Sequence, residues 1–193
     1  LFGGDNLGRD VFSRMVEGSR VVIQIAPLAT MFAFMVGITL GLPAGYYGGF
    51  FDIGLSFLAN LVLAFPVILL FYLLVTPEIV NTGLPQYIAV VLFALPILFL
   101  VLLINSRYYV KPSFRNAVVT GIIIIGGWTY LSLVGEAETK VNILPGGLDF
   151  IHVPANILIV FVSVVFVNAP TVFRIVRGLT LDIKTRDYVA AAQ

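Results

Sequence analysis

Of the 193 residues in this chain, 60% are hydrophobic and only 11% are charged, and the mean hydropathy is +1.05. No soluble domain of that size can hide so much apolar surface, so the solvent for most of the chain is lipid. A net charge of +1, with eleven basic residues scattered between apolar runs, excludes a nucleic-acid-binding stripe, and the absence of cysteine excludes a disulfide framework, a thiolate nucleophile and a Cys-based metal site.

Near the start, Leu7, Val11 and Met15 recur at four-residue spacing, while Asp10, Arg14 and Glu17 are placed to pair on another face. This spacing predicts a short external helix in residues 1–20, capped by Asp5 or Asn6 and lying on the membrane surface. Val21 to Phe51 then carries no Asp, Glu, Lys or Arg over 31 residues. About 20 residues cross the hydrocarbon, so a first span is predicted over 21–42, with Pro27 near its first turn and Pro43 closing it. Gly37 and Gly41 share a face on which two backbones can approach closely, and packing is preferred to a pathway role for them.

Ala44 to Asp52, with Tyr46, Tyr47, Phe50 and Phe51, predicts a turn whose aromatic rings sit at the headgroups. A second span follows over 53–76 with Pro66 inside it. A proline there removes one backbone bond and kinks the helix, either to line a pathway or for structural reasons alone. Residues 21–76 are thus read as one unit of two spans.

Residues 77–155 hold two more charge-poor runs, Gln86–Ile104 and Asn116–Gly135, which predict spans over 86–104 and 117–134. The linker Asn105–Arg115 carries three basic residues and no acid, and an external loop with Lys140, Pro145-Gly146-Gly147 and a lone His152 follows. The last span is predicted over 154–173, opened by Pro154. Near its inner end stand Pro170 and Asn168, the latter read as a hydrogen-bonding residue between helices, with a substrate contact as the alternative. Five spans put the two ends on opposite sides. With the C-terminal end inside, seven Lys and Arg face the cytoplasm and four face outward, the sense that the positive-inside bias prefers.

The span leaves the bilayer as Phe173-Arg174-Ile175-Val176-Arg177-Gly178 and continues to Arg186-Asp187-Tyr188-Val189-Ala190-Ala191-Ala192-Gln193. These strings resemble the approach to, and opening of, the "EAA" loop in permease subunits of binding-protein-dependent ABC importers, in particular the dipeptide, oligopeptide and nickel branch. Asp5-Asn6-Leu7-Gly8-Arg9-Asp10-Val11-Phe12-Ser13-Arg14, Gly45-Tyr46-Tyr47-Gly48-Gly49 and Ala64-Phe65-Pro66 match the same branch in the same order. Ala190 stands where the consensus has Glu. The resemblance implies an all-α polytopic bundle and an internal portion of a longer permease, with one span before it and two after it. Residues 77–155 then form an unusual two-span insert, and 156–193 form a core span with the start of the coupling loop.

It further implies that Arg186, Asp187, Tyr188, Val189, Ala190, Ala191, Ala192 and Gln193 meet a cytoplasmic ATPase. The implied partners are two ATPase subunits, a second homologous permease subunit and an external substrate-binding protein in a bacterial or archaeal plasma membrane. ATP and Mg²⁺ are expected on the partners and no cofactor on this chain. The implied cargo is a di- or oligopeptide or a related small solute such as a nickel chelate.

The residues themselves argue against rival classes. There is no His-Glu-x-x-His motif, and no acid lies inside a predicted span to serve an aspartyl dyad or bind a coupling ion, so no catalytic or metal residue is nominated. An ion-driven carrier and an accessory or scaffold subunit remain the alternatives. Pro66, Asn168 and Pro170 are the candidates for the pathway or for helix packing.

Overall fold

The computed structural model describes residues 3, 4, 8, 10–138 and 155–186. Among them the chain forms helices and no strand: α1 Val11–Tyr47, α2 Gly49–Ala64, α3 Val67–Val75, α4 Pro77–Asn81, α5 Leu84–Arg107, α6 Pro112–Glu138 and α7 Ala155–Lys184. The all-α expectation holds, for the reason that produced it. In lipid, backbone N–H and C=O groups have no water to bond, so charge-free apolar runs close their hydrogen bonds locally.

The boundaries differ from the sequence-based expectation. The external helix and first span are one continuous rod, α1, about 55 Å long against a hydrocarbon layer of about 30 Å. Its cap is Asp10, whose carboxylate accepts from Phe12 N at 3.2 Å and from Ser13 Oγ at 2.6 Å; the predicted caps Asp5 and Asn6 lie outside the described residues. Pro43 does not end this helix. Gly48 does, at φ 67° and ψ −149°, a conformation that a Cβ disfavours, so the predicted turn shrinks to one residue.

Pro66 does more than kink its span. It holds Phe65 extended (φ −83°, ψ 141°), as a following proline does, and α2 and α3 meet there at 91°. Among the described residues, four helices are long and apolar enough to cross a membrane, five if this bent pair is one crossing.

Packing decides between four and five. A Cβ built on Gly37 would lie 2.6 Å from Val172 Cβ, one on Gly41 3.0 Å from Val176 Cβ, and one on Gly45 2.7 Å from Thr180 Cβ. Both helices ascend in step, so α1 and α7 are parallel neighbours. α5 and α6 form an antiparallel hairpin, with Tyr130 Oη donating to Val90 O at 3.1 Å and Gly126 against Ile97. Two parallel crossings need an odd number of crossings between them. The hairpin accounts for two, and the sequence from 139 to 154, with Lys140, Asp149 and His152, has no apolar run long enough for one. The α2–α3 pair is therefore the third, and the count is five.

The core lies along the α1–α7 seam, where Ala29, Ala33 and Val36 meet Val165 and Ala169. Beside it Phe32, Phe93 and Phe161 join α1, α5 and α7, with ring centroids 5.2 to 5.9 Å apart.

Candidate functional site: the basic end of α7

α7 continues through Pro170 and past the end of its apolar run, carrying Arg174, Arg177 and Lys184 in helical register. Arg177 and Lys184 reach the corner where α1 ends and α2 begins, and Arg174 reaches further along α2. Arg177 presents its Nε and Nη2 to the two carboxylate oxygens of Asp52, the Nη2 bond being 2.6 Å long. Ser56 Oγ also donates to Asp52, at 3.2 Å. A turn away along α7, Arg174 Nη2 donates to Asn60 Oδ1 at 2.7 Å. Further along, Lys184 Nζ donates to the Tyr46 carbonyl at 2.6 Å and sits 5.6 Å over that residue's ring.

Each contact has a local cause. The break at Gly48 turns α2 so that Asp52, in its first turn, faces α7; that helical start also favours a negative charge. Gly45, with no Cβ, lets Thr180 and the Arg177 carbonyl come close, which holds the guanidinium at the right height. The forked guanidinium matches the carboxylate geometry, giving a bidentate pair that Lys would not reproduce. The Asp52 side chain is only 13% exposed and that of Arg177 33%, so water screens the pair incompletely.

The geometry is that of a mechanical clamp. Asp52 is taken up by a guanidinium and a hydroxyl, and among the described residues no group of three His, Cys, Asp or Glu side chains gathers as a metal site would require. What the arrangement does is fasten the stem of α7 to both α1 and α2 at the end from which the chain runs on towards residue 193.

Of the residues nominated from sequence, Arg186 lies just past the end of α7, is exposed, and bonds Asp182 Oδ2 in the last turn of that helix at 2.7 Å. Asp187, Tyr188, Val189, Ala190, Ala191, Ala192 and Gln193 lie outside the described residues. Asn168 bridges no helices among the described residues: its Nδ2 donates to Val164 O, one turn back on α7, at 2.7 Å, and the residue is exposed. Pro170 is half-buried in a cleft of about 140 Å³ with Ala59 and Phe173, and neither Pro66 nor Asn168 lines it. Pro66 is exposed at the α2–α3 corner. The three are not brought together.

Asp52 and Arg177 are partners that no spacing in the sequence joins. One signal was there: Asp52 is the sole charged residue between Arg20 and Glu78, and a lone carboxylate among apolar residues needs a cation. Gly45 is the third glycine at four-residue spacing after Gly37 and Gly41, although the aromatic residues that follow it make it look like part of the turn.

Several known proteins share part of this sequence. The dipeptide transport system permease protein DppC of Alkalihalophilus pseudofirmus is 48% identical over 69 residues, which are 36% of this chain and 23% of that protein. The glutathione transport system permease protein GsiD of Pectobacterium atrosepticum is 38% identical over 95 residues, 49% of this chain and 31% of GsiD. DppC of Haemophilus influenzae is 36% identical over 87 residues, 44% of this chain and 30% of that protein. No family model and no solved structure matches the chain. The chain spans less than a third of the length of these curated relatives. Over a third to a half of its own length, then, this multi-helix membrane chain is similar to permease proteins of dipeptide and glutathione transport systems, as its motifs imply.

Proposed function

We propose that the chain is part of the permease subunit of an ATP-driven ABC importer for dipeptides, oligopeptides or a related small solute such as a nickel chelate. The observation that carries this reading is the clamp at the base of α7. A helix leaves the bilayer towards the Ala190-Ala191-Ala192 segment, and its stem is locked to two other helices by Asp52–Arg177, Arg174–Asn60 and Lys184–Tyr46. A push on residues 186–193 by a cytoplasmic ATPase therefore moves α1, α2 and α7 together rather than bending a free tail.

Three consecutive alanines are small enough in side chain for another protein to approach closely. ATP and Mg²⁺ act on two ATPase subunits, a second permease subunit completes the pathway, and an external binding protein delivers the cargo. This chain performs no chemistry. The C-terminal end faces the cytoplasm of a bacterial or archaeal plasma membrane: five crossings place Arg107, Lys111 and Arg115 on the same side as Arg174, Arg177, Lys184 and Arg186, as the positive-inside bias favours. Residues 77–155 are an insert whose hairpin packs beside a complete α1–α7 seam. The Pro66 corner lines the pathway, because backbone freed at a 91° break is tolerated at membrane depth only against protein or water. An ion-driven carrier fits less well, since the carboxylate of Asp52 is already paired.

The test is co-purification of the full-length protein with its ATPase subunit. The wild type is expected to retain the ATPase and Ala191→Glu to lose it, because a buried unpaired carboxylate at a contact between two proteins is expensive. Transport that persists with nucleotide hydrolysis blocked would overturn the proposal.

A further inference from the structure

Between α1, α5 and α6 lies a cleft of about 640 Å³, walled by Met35, Leu100, Val118, Gly121, Ile125 and Tyr130 among others. Its two hydroxyls are committed to backbone carbonyls: Thr129 Oγ1 donates to Gly126 O at 2.9 Å, and Tyr130 Oη to Val90 O at 3.1 Å. A polar solute is held by a few convergent hydrogen-bonding groups, and this lining has none to spare. The occupant that suits it is a hydrocarbon chain.

Length and charge narrow the identity. From Val118 to Tyr130 the α6 wall is about 18 Å long, close to the roughly 15 Å depth of one leaflet. At the Val118 and Leu100 end the hairpin turns through a loop carrying Arg107, Lys111 and Arg115 with no acid from 105 to 116. Arg115 is half-buried and about one turn from Val118; its bond is to neighbouring Asn116. None of the three cations is in an ion pair among the described residues. A dry slot one leaflet deep, with unpaired cations at its headgroup end, has the chemistry of a lipid that carries negative charge.

We propose that this cleft and the Arg107–Arg115 loop together bind an anionic phospholipid, one acyl chain lying in the cleft and the phosphate on the cations. The inference requires that the chain be embedded in lipid, and it does not depend on what the protein transports.

The only tryptophan of this sequence, Trp128, lies on α6 between the wall residues Ile125 and Thr129 and serves as the reporter. The protein is reconstituted in vesicles containing acyl-brominated phosphatidylglycerol or phosphatidylcholine, and quenching of Trp128 gives the relative association of the two lipids. Phosphatidylglycerol is expected to win by about fivefold for each cation engaged. Lys111→Ala with Arg115→Ala should bring the ratio to near one with phosphatidylcholine quenching unchanged. Gly121→Leu, at a position where a Cβ meets nothing within 4 Å, puts a branched side chain across the path of the acyl chain and should also abolish the preference. A ratio of one in the parent protein overturns the proposal. So does a full preference retained by Gly121→Leu, which means diffuse attraction to the loop, and so does absence of quenching by either lipid, which means that protein covers the cleft.

Discussion

The parallel seam of α1 and α7 makes a quantitative demand on Gly37. An alanine Cβ there would lie 2.6 Å from both Val172 Cβ and Cγ1, and 2.9 Å from the backbone nitrogen of Phe173. Carbon atoms pack best at about 3.5–4.0 Å, so relief requires the helices to part by about 1 Å. Since Gly41 and Gly45 use the same face, they would lose contact too, and a gap of that size forfeits a quarter to a half of each pairwise attraction. Gly37→Ala should therefore destabilise by about 3 kcal/mol, at the upper end of what overpacking costs. Gly54→Ala in α2 is the control: nothing lies within 4 Å of its Cβ, and helix propensity alone predicts a gain of about 0.5–1 kcal/mol. Thermal unfolding of the detergent-purified protein, followed by circular dichroism, reads both. The expected shifts are about 6–12 °C downward for Gly37→Ala and about 1–4 °C upward for Gly54→Ala. Equal or same-signed shifts would mean that α1 and α7 do not meet at these glycines, and the five-crossing count would fall with them.

Asp52→Asn keeps the shape of the clamp and removes its charge; it should cost about 2 kcal/mol, and a double-mutant cycle with Arg177→Gln should return a coupling of about 1.5–3 kcal/mol. Additivity within about 0.5 kcal/mol would show that the pair contributes nothing specific. The sidedness is checked in the cysteine-free background. Lys111→Cys should be protected from an impermeant maleimide in intact spheroplasts while Gly146→Cys is labelled, and the opposite pattern would invert the orientation.

Residue types by themselves determined that this chain lives in lipid, that it is helical, and roughly where its apolar runs lie, because both the transfer of apolar groups and the closure of backbone hydrogen bonds depend on local composition. The motifs from Asp5 to Pro66 and from Phe173 onward likewise identified the transport-permease resemblance without coordinates. The ends of the helices were legible only in part. Pro43 looks like a terminator, yet α1 passes it, since a single lost hydrogen bond is cheaper than exposing a turn of backbone to hydrocarbon. The angle at Pro66 and the pairing of Asp52 with Arg177, 125 positions away, were set by which helix faces meet. So was the parallel run of α1 beside α7, which fixes the number of crossings. Such contacts depend on the relative height and rotation of distant helices, and only the packed bundle settles those.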